Sequence, residues 1–256
     1  MNNFKSPLYL VSFKSAICNY EIYINDLPAY SHLEGGSVSS QIPINHWIFE
    51  SGEQEVKVRV LPLKGEIDFR EDSFIEIKIF SYDSSTTNYG DIVESFNFSV
   101  ENLYDLKIPV VEKRDFFIAE VPFILKKWND FDEIKEKKGE IILFYKAMYQ
   151  LFKEKDIQKI YNLLKFRFDQ IDEATYSKES DNFEGLSKML FRLKEGDFEL
   201  MDFPTEPMLK IYDNKKICNL TRGNNDPILL FKNKNNNEFS FPLLIGFEKS
   251  EPIVVR

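Results

Sequence analysis

The sequence predicts an all-β sandwich in its N-terminal half, followed by an α+β module with helices packed on an antiparallel sheet. Three observations carry this reading. Before about residue 125 apolar residues alternate with polar ones, as in EVKVRV at 55–60 and FIEIKIF at 74–80; a period of two marks a strand with one buried face. From about Gly139 the spacing turns helical, and after about Met208 it alternates again. Between the two patterns lies KKWNDFDEIKEKK at 126–138, charged enough for a linker or the exposed start of a helix. The predicted organisation is therefore 1–125 as a β-sandwich domain, 126–138 as the charged connector and 139–256 as an α+β domain. Each domain is long enough to bury its own core.

The elements follow in order. Residues 20–24 read as a strand, Asn25-Asp26 as a hairpin turn and 27–30 as the return strand. Gly35-Gly36 permits a turn or a bulge. Residues 37–44 are extended, with Val38, Ile42 and Ile44 apolar, and 44–49 make a short helical turn before Ser51-Gly52-Glu53 reverses the chain. Residues 55–63 form a half-exposed strand, with Val56, Val58 and Val60 on one face and Lys57 and Arg59 on the other. Strands at 74–82, 92–100 and 116–123 complete a set of short strands separated by turn signals, the pattern of a sandwich.

In the second module, 140–153 is a helix whose Phe144, Met148 and Leu151 form an amphipathic stripe. A second helix at 156–169 places Ile157, Ile160, Tyr161, Leu164 and Phe168 on one face, and 183–193 is a third. Strands are expected near 208–212, 216–220, 228–232, 238–247 and 252–255, with turn-rich breaks at Asp213-Asn214 and 233–237. Helices first and an antiparallel meander afterwards define the α+β class.

Composition narrows the functional classes. Hydrophobic residues at 43% and charged residues at 29% suit a soluble globular protein. The 24 Phe, 12 Tyr and 2 Trp are expected mainly in the cores. A net charge of −9 and a pI near 5.0 argue against nucleic acid as a ligand, and suit a basic protein partner or simple resistance to self-association. Cys18 and Cys218 lie at opposite ends and predict two buried thiols, without a disulfide framework. No apolar run is long enough for a membrane span. The apolar stretch at 7–13 is too short and interrupted for a secretory signal, so the expected location is cytoplasmic.

Chemical motifs are scarce. His32 and His46 are the only histidines, and a metal site would need a third ligand such as Glu34, with no ligand spacing to support it. There is no G-x-S-x-G elbow, no G-x-G-x-x-G and no Walker A pattern. An enzymatic pocket in the second module would have to draw on an acid such as Asp169 or Asp197. The expectation is a non-enzyme with no catalytic, cofactor-binding or metal residues. Trp47, Tyr82 and Tyr89 are the candidate binding surface, because Trp and Tyr stack on sugars and anchor protein partners. The leading function is protein binding, and the alternative is a carbohydrate or small-ligand binder using the sandwich face or the helical module.

Two resemblances accompany this reading. In SVSSQIPINHWIFESGEQEVKVRVLP at 37–62, Ile44-Asn45 opens a short turn, Gly52 follows, and Val56-Val58-Val60 form the next strand. This resembles jelly-roll, galactose-binding-like accessory domains and implies sandwich topology. The run FYKAMYQLFKEKDIQKIYNLL at 144–164, followed by alternating segments, resembles the nuclear transport factor 2-like, cone-shaped α+β fold. That fold includes isomerases and many binding domains; the enzymes commonly place His, Asp or Tyr inside the cone, and this half contains no His. The acidic, two-module chain as a whole is similar in style to immunity proteins of interbacterial toxin systems, which implies a cognate toxin as partner.

Overall fold

The computed structural model describes residues 4–86, 91–177, 179–212 and 215–256. The turn expected at Asp213-Asn214 and the candidate Tyr89 lie outside the described residues. The protein is mixed α+β and mostly strand, with three α-helices and antiparallel sheets. The chain divides into two compact units, Met1–Leu125 with Ala174–Tyr176, and Lys126–Glu173 with Ser177–Arg256.

The first unit contains β1 (Pro7–Ala16), β2 (Asn19–Ile24), β3 (Leu27–His32), β4 (Ser37–Pro43), β5 (Gly52–Leu61), β6 (Phe74–Asp83), β7 (Val93–Val100) and β8 (Val111–Ala119). They form two four-stranded antiparallel sheets, in the orders β4-β1-β6-β7 and β3-β2-β5-β8. Both sheets feed one apolar core, in which Val56, Val58 and Val60 of β5 and Ile75, Ile77 and Ile79 of β6 are wholly buried. Their alternation is the one the sequence displays. The β2–β3 hairpin turns on Asn25 and Asp26, both at positive φ, as a two-residue turn with matching twist requires. Asn25 then ties the turn to its surroundings: Nδ2 donates to Trp47 O and Gln54 Oε1, and Oδ1 accepts from Glu55 N.

Two strands depart from the sequence reading. β1 was not anticipated, because Tyr9, Leu10 and Val11 are buried in succession and the alternation is lost there. It pairs on both sides, with β4 and β6. β8 begins at Val111 and ends at Ala119, earlier than the 116–123 segment suggested. Its charged start is held in the ladder to β5, where Arg114 pairs with Glu55 at 3.1 Å.

The second unit contains α1 (Lys138–Glu154), most of α2 (Ile157–Thr175), α3 (Glu179–Glu195), β9 (Glu199–Leu200), β10 (Met208–Ile211), β11 (Cys218–Thr221), β12 (Leu229–Lys232), β13 (Glu238–Phe241), β14 (Ile245–Glu248) and β15 (Glu251–Val254). The expected single meander is two sheets, β10-β11-β14-β15 and β13-β12-β9. The segment 238–247 is split because Pro242, lacking an N–H, interrupts the ladder between β13 and β14. Tyr145, Met148 and Phe152 of α1, Ile160 and Leu164 of α2, and Leu186, Leu190 and Leu193 of α3 enter one core with the strands. α1 ends on Lys155 in the left-handed conformation, whose N–H caps the carbonyls of Leu151 and Phe152.

The charged segment 126–138 belongs to this folded unit. Trp128, Phe131 and Ile134 are buried. Asp132 N bonds Phe247 O at 2.8 Å and Ile134 N bonds Lys215 O at 2.9 Å. Apolar residues spaced three apart anchor it while the charges between them stay in water. Cys18 and Cys218 are free and buried, and burial pushes both thiols up to about 12. Among the described residues no helix is long and apolar enough to cross a membrane.

Candidate functional site

A cleft of about 410 Å³ opens in the first unit where the ends of five strands meet. Antiparallel register explains the convergence. Tyr9 of β1 stands opposite Ser81 of β6, and Ser81 opposite Val93 of β7. Gly52 of β5 pairs with Ala119 of β8, which brings Ser51 beside the Glu120–Val121 segment. Ser95, Ile118, Glu120 and Pro122 complete the mouth, with Phe4 ahead of β1.

The floor is rigid. Tyr9 and Ser81 are buried. Tyr9 Oη accepts Glu120 N–H at 2.8 Å, which fixes the mouth residue to the core. The Tyr9 backbone N–H donates to Asn45 Oδ1 at 2.6 Å, and Asn45 Nδ2 donates to Pro7 O and Ala174 O, each at 2.9 Å. Tyr176 Oη also donates to Pro7 O, at 3.0 Å. Ser51 Oγ donates to Val121 O and accepts from Val121 N. Ahead of β1, Asp83 accepts the N–H groups of Lys5, Ser6 and Ser85. These bonds, that from Lys5 first, hold its carboxyl down to about 2. Burial raises the Tyr9 phenol, so it stays neutral in the physiological range.

The mouth continues onto the outer face of β8. Phe116 and Ile118 are 54% and 61% exposed, large values for such side chains in a strand. Their cross-strand neighbours on β5 are Glu55 and Glu53, and Glu120 follows on the same face. Two apolar side chains are thus framed by three carboxylates, of which Glu55 is paired with Arg114. Among the described residues β8 is also the end strand of its sheet.

The cleft offers hydroxyls, a carboxylate and apolar walls. Among the described residues no His, Cys or Lys lines it, and the Ser51 hydroxyl donates to Val121 O and accepts from Val121 N. The hydroxyls, carboxylate and apolar walls can serve recognition through hydrogen bonds and apolar contact.

The two sequence candidates among the described residues, Trp47 and Tyr82, lie outside the lining of this cleft. Trp47 lies in the 3-10 turn Asn45–Trp47, half-buried against the first core. Tyr82 stands on the outer side of β6, half-buried, next to inward-facing Ser81. Neither lines the cleft. His32 packs with its ring centroid 5.6 Å from that of Tyr20, and among the described residues no group of three His, Cys, Asp or Glu side chains is placed to hold a metal. Asp169 and Asp197 are exposed, Asp169 in an ion pair with Lys165 at 2.9 Å, so neither is a buried acid of the kind an enzymatic pocket would use. Phe116, Ile118 and Glu120 were missed. The signal available for them was the run Phe116-Phe117-Ile118, since three successive apolar residues in a strand put apolar groups on both faces.

Comparison with protein-family models, with curated proteins and with solved structures returned no match.

Proposed function

We propose that this chain is a non-enzymatic protein-binding protein that engages a basic partner through the β8 face and the adjoining cleft. In this reading the first unit is a sandwich of jelly-roll type that presents the surface. The second is a cone-like α+β domain, and the partner is a cytoplasmic toxin neutralised by an immunity-type contact. The observation that carries the proposal is the exposed Phe116–Ile118 pair ringed by Glu53, Glu55 and Glu120. An apolar centre with a charged rim is the anatomy of a protein interface, and the rim sign suits a positively charged partner.

Native purification of the full chain from its own host should yield a stoichiometric protein partner. A folded F116D/I118D variant should lose that partner by about tenfold or more in affinity. If the partner is a toxin, co-expression with wild type should relieve growth arrest, and co-expression with the variant should not. Absence of any stoichiometric partner, or capture unchanged by the double substitution, would refute the proposal. The rival reading, a small polyhydroxylated ligand in the cleft, is favoured by the polar lining of Tyr9, Ser81, Ser95 and Glu120. It calls for saturable sugar binding that Ser95→Trp blocks and F116D leaves intact.

A further inference from the structure

Two polar groups on the wall of the 410 Å³ cleft are left unused by the fold. Glu120 is the one charged side chain among the described lining residues. Among the described residues no hydrogen bond or ion pair reaches its carboxylate, and none reaches Ser95 Oγ.

The backbone sets both groups in place. Ser95 is the extra residue of a β-bulge: Ile79 stands opposite Phe96 and Phe80 opposite Glu94, which leaves Ser95 without a partner on β6. A bulge re-aims the side chain it carries, and here Ser95 joins Val93 on the cleft wall while Phe96 enters the core. Glu120 is held from both sides. Its N–H is bound by Tyr9 Oη at 2.8 Å, and Ser51 Oγ binds the N–H and the carbonyl of Val121 at 2.8 and 2.9 Å. The carboxylate therefore projects from backbone that a ligand need not order.

These groups define the chemistry of an occupant. One negative charge with no cation beside it on the wall favours a cationic group. The open acceptors are the carboxylate oxygens and Ser95 Oγ, since Tyr9 Oη already takes the Glu120 N–H and Ser51 Oγ serves Val121. An ammonium has three donors to place, and a guanidinium has five in a rigid plane. The larger set would bring in donors that this wall does not meet, each at a desolvation cost. Val93, Ile118 and Pro122 supply apolar surface beside the oxygens, suited to the methylene stem that carries a lysine ammonium.

We infer, resting on the protein-binding reading above, that the cleft receives a primary ammonium, the side chain of a lysine on the partner. Glu120 supplies the counter-charge and Ser95 Oγ a further acceptor, while Val93 and Ile118 flank the stem.

Nuclear magnetic resonance titration of the full chain with Nα-acetyl-lysine methylamide tests this, read at the backbone amides of Ser81, Ser95 and Glu120. The norleucine and arginine counterparts are the controls: norleucine keeps the stem without the charge, and arginine keeps the charge in another shape. The lysine probe should shift those signals saturably and bind about tenfold more tightly than norleucine, with arginine between the two. Glu120→Gln, at an exposed position, should weaken the lysine probe by about tenfold and leave norleucine unchanged. Absence of a saturable shift at these amides overturns the proposal, as does norleucine or arginine matching lysine, or lysine binding that E120Q does not alter. A partner captured by wild type and lost by F116D/I118D, with no lysine binding in the cleft, sinks this inference and spares the protein-binding reading. Glu120-dependent lysine binding in a chain that captures no partner keeps the ammonium site and refutes that reading.

Discussion

Asn45 in the first unit is wholly buried and Arg167 in the second is half-buried with Nε and Nη1 shut from water, and the two are treated in opposite ways. Asn45 has all of its capacity engaged: its oxygen takes the Tyr9 N–H and its nitrogen serves Pro7 and Ala174. Arg167 has buried donors that nothing engages. A satisfied buried polar group specifies one arrangement of chain, while a buried donor without a partner carries the cost of its desolvation. The cores differ in a parallel way. The first is rich in Ile and Val, such as Val11, Ile22, Val58 and Ile77, whose branching suits a pleated surface. The second relies on Leu, which a helix accommodates with little loss of rotamer freedom, and on large rings that fill its core, such as Leu164, Leu190, Tyr145 and Phe152.

Substitutions can break this contrast. The largest effect is expected at Asn45. Asn45→Ala removes three hydrogen bonds, takes this partner from the Tyr9 N–H and the Ala174 carbonyl and leaves Pro7 O to Tyr176 alone, and should destabilise the first unit by about 3 kcal/mol, measured by urea denaturation. Hydrogen exchange should show protection lost first along β1. Unchanged β1 protection would mean that water replaces the side chain. Leu164→Ala comes next, with an expected loss of about 3 kcal/mol from the cavity left under α2; a loss below about 1 kcal/mol would mean that this core can collapse around the gap. Tyr145→Phe removes the bond from its hydroxyl to Leu243 O at 2.9 Å and should cost about 1 kcal/mol, well short of Asn45→Ala because one partner is lost instead of three.

Smaller effects sharpen the picture at the strand ends. Ile17 joins the two sheets at φ 55°, a left-handed conformation that strains a β-branched side chain. Ile17→Asn should stabilise the first unit by about 0.5 kcal/mol in thermal unfolding, since Asn tolerates that region; destabilisation would mean that the lost contacts of the isoleucine outweigh the strain. The smallest effect is a pH dependence. The Asp83 carboxyl titrates lower in the folded chain, near 2, than in the unfolded one, so its stabilisation is fully present above the unfolded value and fades as pH falls through the folded one. The gap in Tm between wild type and Asp83→Asn should be constant above about pH 5 and close toward pH 2. A gap that widens on acidification would contradict the sign.

Much of the architecture was legible because single-faced burial writes itself into alternation, as at Val56-Val58-Val60 and Ile75-Ile77-Ile79. β1 was not legible because three successive residues are buried and the period disappears. The division of the C-terminal strands into two sheets was hidden for another reason: pairing partners are set by non-local register, to which only Pro242 gave a local clue. The site was least legible. Tyr9, Ser51, Ser81, Ser95 and Glu120 come from five strand ends spread over more than a hundred positions, and nothing local marks their meeting. Arg167 sits in a helix with an ordinary polar–apolar pattern, and only the packed structure reveals that its Nε and Nη1 are shut from water.

The pairing order of the first unit also governs its birth on the ribosome. β1 must wait for β6 and that strand for β7, so the first sheet is complete only once Val100 has emerged, and β5 must wait for β8, so the second is complete only at Ala119. Even then Asn45 lacks an acceptor, because Ala174 lies 129 residues after Asn45 in the sequence. Contacts so distant in sequence form slowly. During that interval the nascent chain carries unpaired edges and an exposed Phe-Phe-Ile segment, the kind of surface on which chaperones act. Slower translation past Ala119 would lengthen that exposure, while a permuted chain that begins near β5 would shorten it.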